Sequence, residues 1–418
     1  MRLLPFLLAV LLVPGAAAET WIWSGDDPGA AGEALEQLQV PWHRYERLGM
    51  VAFEADAPTA TWLAAVTGGR IDPNEAYPLH LDRSVPAIEA DRVQTAVGPQ
   101  RDGPTVLVVD TGVDSLHPDF QDGNLAANVL ALRVGGLVVG TLDQGPIVDL
   151  AGHGTHVAGI VAGSGSGLAG LDGDQGRYLG VYGNGRVASY QATGSDEDHV
   201  DTVAALEAFD WALANQGAFD IRIVNNSWGL EGDFDADHPV NQATRRLYLE
   251  GVNVVFSAGN NGEQGPGTMN KHCVAPWVLC VAAGDLEGAR VGFSGQGARG
   301  PDAPPYDHPD LVAPGLFINA PESTTNIQPG ATLADLLSFE VDAFYGERSG
   351  TSMAAPHVAG AAALLLAANP ELSPDQVMDI LTATARPMAD GVERVGAGYI
   401  NVREAYNLAV RTVGNADA

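Results

Sequence analysis

The run T-V-L-V-V-D, Thr105–Asp110, limits this chain more than any other stretch. Its apolar residues follow one another without the alternation of a half-exposed strand, and most are β-branched or aliphatic. Such a run reads as a parallel strand buried on both faces, which points to an α/β fold. The T-G that follows reads as a turn and leaves Asp110 at the carboxyl end of the strand, where open α/β sheets place ligands and catalytic groups. Taken alone, Asp110 is equally well read as a helix cap or as a carboxylate that fixes the tautomer of a histidine.

Three further segments share this punctuation. V-V-F-S-A-G-N-N-G (Val254–Gly262) is again a strand ending in a glycine turn, and it brings the Asn260 amide to the strand end. G-H-G-T-H-V-A-G-I-V-A-G (Gly152–Gly163) starts a small-residue helix with His153 at its mouth. G-T-S-M-A-A-P (Gly350–Pro356) runs into an alanine-rich apolar helix and sets the Ser352 hydroxyl at its entrance. A bare serine is a poor nucleophile; it needs a base, a group that orients the base, and donors for the oxyanion it creates. His153, Asp110 and the Asn260 amide with the Ser352 N–H are the matching candidates. A metal reading of His153 and His156 lacks the glutamate or cysteines that a zinc site would need.

D-T-G-V-D-S-L-H-P-D-F, H-G-T-H-V-A-G, S-A-G-N and G-T-S-M-A-A-P-H-V-A-G, in that order, resemble the subtilisin-like serine proteases, the subtilase family (peptidase S8), over about Pro86–Val410. The resemblance implies a three-layer α/β/α catalytic domain with a mostly parallel central sheet. It implies a serine-type endopeptidase acting on proteins or peptides without a catalytic cofactor. Asp110, His153 and Ser352 then match the catalytic triad, and Asn260 with Ser352 the oxyanion hole. Ser227, Trp228 and Gly229 match one wall of the pocket for the residue preceding the cut bond, and Ala258 and Gly259 the other. A silent scaffold of the same fold would be expected to have lost one of these groups. A sedolisin-type peptidase would carry glutamate in place of His153 and aspartate in place of Asn260.

Residues 1–18 have one arginine, an apolar stretch and a small-residue end, the pattern of a secretory signal peptide. Secretion is therefore expected, without a stable membrane anchor. Thr20–Ser24, His43–Leu48, Met50–Ala55 and a segment near Ala76–Leu81 read as strands, with helices at Ala30–Gln39 and Thr59–Val66. This order is ferredoxin-like α+β. It is similar to a subtilase propeptide, which implies an intramolecular chaperone and inhibitor over residues 19–83, a tail at Tyr77–Arg83, cleavage between Leu81 and Pro86, and a catalytic domain over 84–418.

In a secreted chain, Cys273 and Cys280 are expected to form a disulfide, two buried thiols being the alternative. The net charge of −31 disfavours nucleic acid or anionic membranes as partners. A monomer is expected. Asp196, Glu197 and Asp198 are read as a possible acidic subsite for cationic side chains two to four residues before the cut, or as a solvated loop. Asp119 matches a calcium-ligand position of some family members, and Asp172 and Asp174 lie in a loop that could supply oxygens. A structural calcium is thus possible, with no ligand set assigned. Phe317–Glu347 is longer than in compact subtilisins and reads as a surface insertion. Asn225–Ser227 matches a glycosylation sequon, but on a buried strand.

Overall fold

The computed structural model describes residues 19–45, 50–73, 81–134, 137–143, 149–168, 178–193, 199–299, 304, 306–324 and 344–413. The chain divides into two compact units, Met1–Pro78 and Leu79–Ala418. The signal-like segment 1–18, Asp172, Asp174, the Asp196–Asp198 rim and residues 325–343 of the insertion lie outside the described residues.

The first unit follows the βαββαβ order: β1 (Glu19–Ser24), α1 (Pro28–Gln37), β2 (Trp42–Tyr45), β3 (Met50–Ala55), α2 (Ala57–Thr67) and β4 (Arg70–Pro73). Its antiparallel sheet runs β2-β3-β1-β4. Trp23, Leu35, Val51, Phe53 and Leu63 form its core. Asp56 caps α2 by accepting from the Thr59 N–H at 2.9 Å. The segment near Ala76–Leu81 expected as the last strand lies, up to His80, outside the described residues; the fourth strand of the described sheet is β4, where Arg70 pairs with Ser24 and Pro73 with Trp21. Gly68, in a left-handed conformation, ends α2 two residues before that pairing starts. Leu81 instead begins a helix, α3 (Leu81–Ala87).

In the second unit, α4 (Ala90–Val97) precedes β5 (Thr105–Asp110), whose six residues are all buried. There follow β6 (Leu125–Val134), β7 (Leu137–Asp143), α5 (His153–Ala162), β8 (Arg186–Gln191), α6 (Thr202–Phe219), β9 (Ile221–Asn226), α7 (Pro239–Leu249), β10 (Asn253–Ser257), β11 (Val278–Gly284) and β12 (Leu311–Pro314). The eight-stranded sheet has the order β12-β11-β10-β9-β5-β8-β6-β7. Every adjacent pair is parallel except β6 and β7. The hairpin of β13 (Ile318–Pro321) and β14 (Tyr345–Arg348) brackets the long insertion.

Among the described residues one helix, α8 (Thr351–Ala368), is long and apolar enough to cross a bilayer, yet it is buried in the protein core. It packs on β9, β10, β11 and β12 and against α5. Its alanine run lets the helix axis approach the sheet closely, as short side chains do at close crossings. Helices α9 (Pro374–Ala383) and α10 (Val402–Val413) complete the described chain. Ser373 caps α9 through a full capping box with Gln376. Cys273 and Cys280 form a disulfide with an S–S distance of 2.02 Å.

Candidate active site

Parallel packing sends the ends of β5, β9 and β10 to one edge of the sheet, and α5 and α8 begin there. Asp110 closes β5, 3 % exposed, and its Oδ1 also accepts from the Thr111 N–H at 2.8 Å. Gly152, at φ +75°, turns the chain into α5 and sets His153 as the first helical residue, a backbone conformation that glycine adopts without strain. His153 Nδ1 lies 2.7 Å from Asp110 Oδ1. A carboxylate only accepts, so Nδ1 carries the hydrogen and Nε2 is left as a base. Burial disfavours the imidazolium, but the Asp110 charge and hydrogen bond outweigh it. The His153 pKa is raised above 6.5, with Arg348 opposing and Asp149 assisting.

Asp149 was not legible as a site residue. It is fully buried. Its Oδ1 accepts from Thr111 Oγ1 at 2.9 Å and from the Gly152 N–H at 2.9 Å. Its Oδ2 accepts from the Thr155 N–H at 2.8 Å and from Thr155 Oγ1 at 2.6 Å. Thr111 in turn accepts from the Gly154 N–H at 2.8 Å. One carboxylate thereby ties the residue after Asp110 to the residues flanking His153. Burial raises its pKa against these hydrogen bonds.

Ser352 sits in the first turn of α8. Its hydroxyl donates to the Ser227 carbonyl at 2.9 Å, and Ser227 Oγ donates back to the Ser352 carbonyl at 2.8 Å. Asn260 Oδ1 accepts from the Thr351 N–H and from Thr351 Oγ1, both at 2.9 Å. That fixes the amide plane and leaves Nδ2 on the other side. A methyl carbon built on Gly350 would stand 3.5 Å from Asn260 Nδ2 and 3.6 Å from the Ser352 nitrogen. Both nitrogens thus border one small space beside the serine, with Asn260 Oδ1 3.7 Å from the same point.

Ser352 lines two adjoining cavities. One, of about 390 Å³, also takes in Asp110, His153, His199 and Arg348. The other, of about 400 Å³, lies between Ser227–Gly229 and Gly259–Asn260. Gly259 of the second expected wall thus lies across the cavity from Ser227–Gly229, whereas Ala258 is fully buried and does not line it. Asn270 bridges the two sides, donating from Nδ2 to the Trp228 carbonyl at 3.0 Å and the Ser257 carbonyl at 2.9 Å. Trp228 Nε1 anchors its wall to the Val109 carbonyl at 2.9 Å. The backbone of Ala258 is tied into β11, its N–H donating to the Val281 carbonyl at 2.9 Å. The bridging Asn270 had no local signature that would have revealed it.

His156 points away from a metal role: it is buried, Nε2 lies 3.0 Å from both the Ile318 and Gly346 carbonyls, and burial lowers its pKa to about 3. Asp119 does not fit a calcium site. Its Oδ1 accepts from the Gly167 N–H at 2.9 Å and the Tyr345 hydroxyl at 2.6 Å, its Oδ2 from the Gly165 N–H at 3.1 Å. Among the described residues no cluster of histidine, cysteine or carboxylate groups could hold a metal ion. Asn225 is fully buried, which removes the sequon as a modification site.

A hydroxyl, an imidazole–carboxylate pair and two neighbouring amide nitrogens at the ends of parallel strands fit a serine hydrolase of α/β build. Residues 101–404 match the sequence profile of the Subtilase family. The chain belongs to that family and is a serine-type endopeptidase. It is 32% identical over 323 residues to Subtilisin DY of Bacillus licheniformis, covering 77% of this chain and 97% of that protein. Serine protease AprX of Bacillus subtilis (strain 168) is 31% identical over 347 residues, covering 77% and 70%. Among solved structures, an S41 psychrophilic protease superposes with a TM-score of 0.57 at 25% identity, covering 72% of this chain and 91% of that one. The protease domain of PatA, as an S218A mutant, gives 0.54 at 25% identity, covering 76% and 99%.

Proposed function

We propose that the protein is a secreted endopeptidase, made as a self-processing zymogen, in which Ser352, His153 and Asp110 form the catalytic triad. The observation that carries this reading is the 2.7 Å His153–Asp110 contact, with Ser352 lining the same cavity and the Asn260 Nδ2 and Ser352 nitrogens bordering one small space. In the resting site the Ser352 hydroxyl donates to the Ser227 carbonyl. Attack requires it to turn so that its proton passes to His153 Nε2 as Oγ bonds to the peptide carbonyl carbon. Asp110 holds the resulting imidazolium. The carbonyl oxygen, now an oxyanion, takes hydrogen bonds from Asn260 Nδ2 and the Ser352 N–H. His153 returns the proton to the leaving amine, an acyl-enzyme remains, and water reverses the sequence.

Substrate backbone adds to the Ser227–Gly229 edge, as an extended peptide adds to an exposed strand. Residues 1–18 act as the signal peptide, 19–83 as the propeptide and 84–418 as the catalytic domain. The ferredoxin-like order of the first unit and the leader composition support this division. The acidic Asp196–Asp198 segment attracts cationic side chains upstream of the cut. Replacing Ser352 with alanine abolishes both peptide hydrolysis and self-processing. Turnover retained in that variant, or Glu19 as the N-terminus of active secreted enzyme, contradicts the reading.

A further inference from the structure

We infer that Glu231 makes the cavity between the two substrate walls select a cationic side chain, lysine or arginine, at the residue preceding the cut bond. This rests on the reading of that cavity given above. It opens beside Ser352 and Asn260, and Glu231 is the one charged residue among those that line it. Gly229 keeps one wall flat, since a methyl carbon there would stand 1.9 Å from Asn270 Nδ2. The remaining lining offers hydroxyls, amides, backbone and the uncharged side chains of Trp228 and Leu230, none of which carries a charge that repels or neutralises a cation.

Glu231 is held in place rather than waving in solvent. Its backbone pairs with Asn270 across an isolated antiparallel bridge, next to the 2.9 Å hydrogen bond from the Lys271 N–H to the Leu230 carbonyl. Oε1 accepts from Asn261 Nδ2, whose neighbour Asn260 supplies the oxyanion donor. Oε2 has no partner among the described residues and remains an acceptor. Lys271 passes nearby, its Cδ 3.6 Å from the point where a methyl carbon on Gly232 would lie, yet it forms no ion pair with Glu231. A lysine or arginine entering the cavity therefore meets a half-buried, oriented carboxylate at its lining. Half-buried pairs of this kind lie between weak exposed pairs and strong desolvated ones, which corresponds to about ten-fold in specificity.

The test measures kcat/KM on short peptide p-nitroanilides that differ only in the residue before the cut: lysine, arginine, glutamine, leucine or glutamate. Wild-type enzyme should favour lysine and arginine over glutamine by about ten-fold, less so in added salt. Glu231→Gln should bring that ratio close to one, and Glu231→Lys should turn it toward glutamate. The ratio is independent of how much of a variant folds. A wild-type ratio near one, or a ratio unchanged by Glu231→Gln, overturns the inference while leaving the protease reading intact. A wild-type chain that hydrolyses none of the peptides overturns both.

Discussion

His153 sets the pH response of the site. In the proposed triad only its neutral form accepts the Ser352 proton, so kcat/KM should be low in acid and climb as pH passes through its raised pKa, above 6.5. Arg348, paired with Glu322 and donating to the Ala151 carbonyl at 3.2 Å, pulls that pKa down. Arg348→Ala removes the opposing charge, so the acidic limb should move to higher pH. A limb that stays or moves to lower pH contradicts this assignment. The stabilising effect of the raised pKa has the opposite direction. It is fully present below 6.5 and lost as pH rises through the folded value. At the oxyanion donors, Asn260→Ala should lower kcat on the order of a hundred- to a thousand-fold, a range known from a subtilisin and adopted for this family member. Gly350→Ala should place a methyl in the same space and lower kcat by about ten-fold or more, with KM much less affected. Asp110, His153, Asn260 and Ser352 were legible because each sits at a strand end or helix start marked by local glycines. Asp149, Asn270, Glu231 and Arg348 were not. Thr111 and Asp149 lie 38 residues apart, and only the folded sheet brings them together.

At the scale of elements, α8 carries both the proposed nucleophile and the centre of the core. Leu365 on it is fully buried. Leu365→Ala should cost about 2–5 kcal/mol of unfolding free energy, measured by denaturant titration, because the rigid sheet beneath cannot collapse into the cavity. A loss below about 1 kcal/mol would show that the helix is not the packed centre. The central strand β5 was plain from its unbroken apolar run. β4 was not, because R-I-D-P offers one apolar residue and its identity comes from pairing with Trp21–Ser24. The β13–β14 hairpin was hidden for a similar reason, its two short strands lying at either end of a long insertion.

At the scale of the whole molecule, a chain with 52 acidic and 21 basic residues repels itself when folded. Raising ionic strength from about 0.01 M to about 0.15 M shortens the screening length from about 30 Å to about 8 Å, and the melting temperature should rise accordingly. A melting temperature that falls over that range would mean that surface ion pairs outweigh the excess charge. The same acidity is compatible with an enzyme that draws cationic segments toward its cleft. All of this depends on one serine being activated where the sheet edge meets two helices. The direct measurement is peptide mapping by mass spectrometry after treatment with a serine-directed fluorophosphonate. A single adduct on Ser352, absent in His153→Ala, is the predicted result; an adduct on another residue, or an unlabelled Ser352 in enzyme that still cleaves peptides, would contradict it.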